Sequence, residues 1–266
     1  MKKTSELTKK PTVEEVVTEQ PVKKRGPIAY SLILVIQTFV AFVGAQVIAP
    51  TLIAFAVLTG GVKSGDLLKF MDTFAMRFVL ILAIEFLAVI GISYLVKRRQ
   101  WTWKDIGINR KPNWHDLWQG SYIYAIYFAI FLAVYALERA SGLINTEQAQ
   151  QLGFNNAKGP VLILVFVSLV ILPPIAEEII FRGFLFKGLR KRLVYVKAAL
   201  ITSLLFGVAH LEFGNGGPLN WAAAIDTFTL SMILTYATER YKSIWPAMIA
   251  HSLKNAIAFV LLFLLK

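Results

Sequence analysis

Apolar runs of about 20 residues recur along this chain, each long enough to cross the ~30 Å hydrocarbon core of a bilayer as a helix. They fall near 28–58, 74–96, 117–137, 160–183, 195–211, 221–238 and 243–265. Lipid offers backbone groups no water to bond, so runs of this kind fold as helices. The pattern predicts an all-α polytopic membrane protein, a bundle of about seven transmembrane helices. Apolar residues make up 56% of the chain and charged residues 17%. Soluble domains carry about 25% charged residues, so a soluble core of this size would lack the polar surface to cover it. The first run contains Pro50 and reads as one long kinked helix or as a helix plus a re-entrant piece. Two full spans there would invert the charge pattern downstream, so it counts as one.

Charge sets the orientation. Lysine and arginine gather in the tail (Lys2, Lys3, Lys9, Lys10, Lys23, Lys24, Arg25), between spans two and three (Lys97, Arg98, Arg99, Lys104, Arg110, Lys111), between four and five (Lys187, Arg190, Lys191, Arg192, Lys197) and between six and seven (Arg240, Lys242). The alternate loops are poor in them. The positive-inside rule then gives a cytosolic N-terminus and an external C-terminus in a multi-pass cell-membrane protein. This distribution also accounts for the net charge of +12 without nucleic acid, since no basic stripe is interleaved with exposed aromatics. Residues 1–26 are polar and proline-containing, which predicts a disordered basic cytosolic tail rather than a cleavable signal. Residues 27–266 form the bundle. The chain has no cysteine, which excludes disulfides and a thiol nucleophile.

Within span four, Pro173-Pro174 is followed by Glu177-Glu178-Ile179-Ile180-Phe181-Arg182-Gly183. Each charge at mid-bilayer costs about 2.5–3.5 kcal/mol even on lenient scales, so such residues are paired or used. Glu178 and Arg182 are four residues apart, share a helix face and can form an ion pair. Glu177 lies about 100° around the helix without such a partner, and is the freer carboxylate. Two of the three histidines follow at helical spacing, in Phe206-x-x-x-His210 and His251-x-x-x-Asn255. Counted from the flanking lysines at 1.5 Å per residue, Glu177, His210, His251 and Asn255 lie roughly 13–20 Å from the cytosolic boundary. Unrelated core polar residues would not be expected to share one depth. A carboxylate and two imidazoles in one slab suit a general base acting on water.

These residues resemble the CPBP family, the CAAX-protease and bacteriocin-processing group of intramembrane proteases. Its pattern of Glu-Glu-x-x-x-Arg, Phe-x-x-x-His and His-x-x-x-Asn on successive membrane segments is met here in order, within residues 158–266. The resemblance implies an intramembrane endopeptidase with a bundle of seven or eight spans. Glu177 and His210 would activate water, and His251 and Asn255 would stabilise the oxyanion. Glu178, Arg182 and Phe206 would support the site. The substrate would be a CAAX-type, prenylated, bacteriocin-like or pheromone-like peptide, or another membrane protein. Metal-free catalysis is favoured, with zinc left open because Glu177, His210 and His251 can supply three ligands.

Plainer readings attach to the same residues. Glu177, Glu178 and Arg182 can be a structural ion cluster, His210 a satisfied core residue, and Asn255 a helix-to-helix tie. Glu85 and Asp226 are read as facing the bundle interior, Arg77 as reaching the interface, His115 as interfacial, and Lys254 as lying on another face without a role. A non-proteolytic bacteriocin-immunity protein is the main alternative function. A proton-coupled transporter is a weaker one, since no internal repeat is visible.

Overall fold

The computed structural model describes residues 26–146, 153–154, 156–211 and 219–265, so the basic tail expected to be disordered lies outside the described residues. The described chain is helical and contains no strand. Helix α1 spans Pro27–Thr59, α2 is the short Leu67–Met71, α3 spans Phe74–Arg98 and α4 Trp114–Ser141. Then come α5 (Val161–Arg190), α6 (Tyr195–Ala209), α7 (Trp221–Tyr241) and α8 (Trp245–Leu264). The all-α polytopic expectation is met. Five of these helices, α1, α3, α4, α5 and α8, are long and apolar enough to cross a membrane. The α6 helix is apolar but has 15 residues, and α7 falls short in apolarity because it carries Asp226, Glu239, Arg240 and several threonines. The first apolar run is a single helix that passes through Pro50.

Helix ends follow local chemistry. Asn113 caps α4 by accepting from the amides of His115 and Asp116, and Asp116 answers on the Asn113 amide, a capping box. The helix stops at Gly142, which takes the left-handed conformation that glycine adopts without a Cβ penalty. Thr73 caps α3 and Asn220 caps α7 through their side-chain oxygens.

The centre of the bundle is the C-terminal half of α5. Every residue from Ala176 to Phe186 is buried, whereas α1, α3 and α4 present large apolar side chains outward (Phe39, Phe55, Phe86, Phe128), as a lipid-facing surface requires. Residues 167–171 and 178–186 of α5 are wound as π-helix, a form that often marks functional sites. Around it, α1 packs on α3, α6 on α7, and α8 on α4. Beneath it, the α3–α4 loop folds back so that Ile106 is fully buried against α5. Asp105 ties this loop to Lys191 at 3.1 Å. The Thr102 amide and hydroxyl, helped by Lys191, hold the Asp105 carboxyl down at about 2.

The α4–α8 seam depends on the absence of a side chain at Gly120. A Cβ there would lie 2.5 Å from Ile249 Cγ2 and 3.0 Å from the Pro246 carbonyl oxygen. Overpacking of this kind costs about 1–3 kcal/mol. Gly120→Val is therefore expected to lower the thermal midpoint in detergent, and an unchanged midpoint would contradict this packing.

Candidate active site

The π-wound stretch of α5 carries three charged groups into the core. Glu178 and Arg182 are completely buried, and their ion pair measures 3.2 Å. Glu178 does more than pair with Arg182: the same oxygen, Oε1, accepts from Nδ1 of His251 on α8 at 2.9 Å. One carboxylate thus holds a guanidinium and an imidazole together. Sequence spacing exposed the first partner, four residues away, and not the second, 73 residues away. Arg182 also lies over the face of Phe206, 4.3 Å from its centroid, a cation–π contact strengthened by desolvation.

Phe206 is the hub of the aromatic packing. Its ring sits 4.6 Å from that of His210, 5.9 Å from that of His251 and 5.0 Å from that of Phe181. His210 closes the end of α6, with Nδ1 placed 2.8 Å from the Phe206 carbonyl oxygen. A carbonyl can only accept, so Nδ1 carries the hydrogen and Nε2 keeps its lone pair. Phe206 therefore fixes both the tilt and the tautomer of His210. The packing role was legible from the four-residue spacing; the tautomer required the backbone.

Glu177 is buried, and its Oε2 accepts no hydrogen bond from another side chain or the backbone. The nearest opposite group is Nε2 of His251, at 3.8 Å. Glu177, His210, His251 and Asn255 all line one cavity of about 340 Å³ between α5, α7 and α8. Its other walls are Leu169, Pro173, Thr227, Leu230, Phe259 and further apolar residues. The four residues grouped by depth are thus brought to one wall-lined space. Glu85 of α3 lies close enough for its charge to act on Glu177.

Asn255 has a clear local partner. Its Nδ2 donates to the Leu169 carbonyl oxygen at 2.9 Å. That carbonyl is left over by sequence: its α-helical donor would be residue 173 and its π-helical donor residue 174, and both are proline. Asn255 supplies the missing hydrogen across the helix interface, and its second Nδ2 hydrogen remains for the cavity. Lys254, to which the sequence reading gave no role, also lines the cavity and pairs with Asp226 at 3.3 Å. Asp226 in turn accepts from the Tyr127 hydroxyl. The expectation that Asp226 faces inward holds. Lys254 was misread along the chain: it stands three residues after His251, and that spacing already places the two on one helix face. Arg77 pairs with Asp72 at 2.8 Å near the start of α3, and His115 is exposed in the first turn of α4.

Glu177, His210 and His251, the zinc set that the sequence left open, share this cavity. Among the described residues, no three His, Asp or Glu side chains stand in a group able to hold one ion.

Comparison with known proteins bears on the same stretch. Residues 159–257 match the family model described as type II CAAX prenyl endopeptidase Rce1-like. YyaK of Bacillus subtilis, an uncharacterized protein, is 31% identical over 153 residues, 55% of this chain and 48% of its own length. YdiL of the same organism, named as a candidate membrane peptidase, is 33% identical over 99 residues, 37% of each chain. The chain thus spans about half or less of the curated relatives it matches. No solved structure matches it.

If Asn255 serves the Leu169 carbonyl, its loss strands a buried acceptor, at about 1–3 kcal/mol. Asn255→Ala should lower thermal stability in detergent without any substrate present. Unchanged stability would show that the bond to Leu169 contributes nothing. The motifs, their order and the family match coincide in residues 159–257, which are similar to the Rce1-like type II CAAX prenyl endopeptidases and lie in a multi-pass membrane protein.

Proposed function

We propose that this protein is an intramembrane endopeptidase that hydrolyses peptide bonds with a water activated by Glu177. The observation that carries the reading is a buried, hydrogen-bond-free Glu177 oxygen 3.8 Å from Nε2 of His251, on one cavity with His210. Such a carboxylate can accept a proton because no donor already occupies it.

In this reading, Nε2 of His210 accepts one hydrogen of the water and orients it, while Glu177 takes the other. The hydroxide equivalent adds to the scissile carbonyl carbon. The resulting oxyanion accepts hydrogen bonds from the second Nδ2–H of Asn255 and from His251 protonated at Nε2. The Glu178 carboxylate behind Nδ1 steadies that imidazolium, as a buried carboxylate does for a catalytic histidine. Donors fixed in advance around a developing oxyanion are worth about 2.7–4 kcal/mol each. Collapse of the intermediate breaks the C–N bond, and the proton held by Glu177 passes to the leaving amine. No step requires a metal. A CAAX-type prenylated peptide or a small membrane-bound peptide is the proposed substrate class, reached from within the bilayer.

Glu177→Gln keeps the size and loses the base. It should reduce cleavage of a prenylated CAAX peptide in liposomes by about 10²–10⁴-fold, with the thermal midpoint little changed. Full activity in that variant would remove Glu177 from the mechanism.

We also infer that the N-terminus is cytosolic, from the basic clusters on alternate loops. The absence of native cysteine makes this directly measurable. In intact cells an impermeant maleimide should label Leu265→Cys and not Ser5→Cys. The reverse pattern would invert the topology.

A further inference from the structure

Lys254 stands out once the catalytic groups are assigned. It is the one lysine or arginine among the described residues that line the cavity, whose walls are otherwise apolar apart from Glu177, His210, Thr227, His251 and Asn255. It lines the same cavity as Glu177, His210 and His251, the reacting groups. Its side chain is 24% exposed and lines the cavity, and that of its partner Asp226 is 20% exposed. Neither side chain is sealed into the packing, so the ammonium stays accessible to a ligand. Three helices nevertheless hold this pair in place: Tyr127 of α4 donates to one oxygen of Asp226, and Lys254 of α8 reaches the other.

An ammonium has three hydrogens. One serves Asp226, which leaves two for a ligand. A ligand that fits must place an anion at Lys254 and apolar groups against Leu230, Phe259 and Leu262, with a peptide bond beside Glu177. We propose that Lys254 is a specificity-determining residue that binds a carboxylate of the peptide substrate close to the scissile bond. The carboxylate can be the chain terminus or an acidic side chain; the chemistry is shared. Asp226 and Tyr127 keep the ammonium from folding back onto Glu177. This inference rests on the endopeptidase reading for its substrate class.

Binding can be read apart from cleavage. In the Glu177→Gln protein in nanodiscs, the affinity of a fluorescent farnesylated Cys-Val-Ile-Met peptide would be compared with that of its C-terminal amide and of an amide carrying Glu in place of Ile. A hydrogen bond to a charged group predicts that the free acid binds about 10–100-fold more tightly than the plain amide. Lys254→Met should erase that difference while leaving amide binding unchanged, and Lys254→Arg should restore most of it. A gain for the terminal acid alone assigns the site to a chain end; a gain for the Glu peptide too assigns it to carboxylates in general. Because Lys254→Met leaves Asp226 buried without its cation, Lys254→Met with Asp226→Asn tests the same point in a neutral site. Equal affinity for acid and amide, no binding of either, or a preference that survives Lys254→Met would overturn the proposal. Loss of cleavage by the otherwise unaltered protein, with the acid preference intact, would instead count against the protease reading.

Discussion

The Glu178 carboxylate, fully buried between Arg182 and His251, is the interaction on which the rest of the site depends. The Arg182 cation could not occupy the core alone, since an uncompensated buried charge costs about 3–5 kcal/mol when its partner is lost, and the His251 imidazole shares its partner. Sharing one oxygen between them couples α5 to α8 and sets the direction of the His251 ring. Arg182, held from one side by Glu178, presses its other face on Phe206. Phe206 then locates His210 by ring packing and by its own carbonyl. A chain of contacts thus runs from one carboxylate through three helices to both imidazoles, leaving Glu177 with a free oxygen.

The double proline is the second constraint. Pro173-Pro174 deprives the Leu169 carbonyl of both its helical donors, and α5 widens into π-helix on either side of the proline turn. In lipid that carbonyl needs a partner, which Asn255 provides. A residue whose motif suggests chemistry therefore also closes a backbone defect that its neighbours create. The two functions are compatible because a carboxamide has two N–H groups pointing in different directions.

Much of the site was legible along the chain. Glu178 with Arg182 and Phe206 with His210 are four-residue pairs, and helical geometry alone brings them together. The common depth of Glu177, His210, His251 and Asn255 followed from rise per residue, because all four are counted from basic boundary residues. The same reasoning placed Asp226 inward. It failed for Lys254, although a three-residue spacing from His251 puts both on one helix face. Span counting took in α6 and α7 as well; α6 is too short and α7 too polar to cross a membrane by length and composition alone, yet both are packed against the central helix and each other.

By itself, then, the sequence determined the helical membrane class, the order and depth of the polar residues and the local pairs, because these depend on hydropathy, charge placement and a fixed helical period. Tertiary structure decided which partners cross between helices: His251 on Glu178, Asn255 on Leu169, Lys254 on Asp226. It also decided which nitrogen of each imidazole faces the cavity. The physical reason is that such contacts depend on the rotation and register of packed helices. Those are set by close approaches such as Gly120 on Ile249, summed over surfaces distant in the chain.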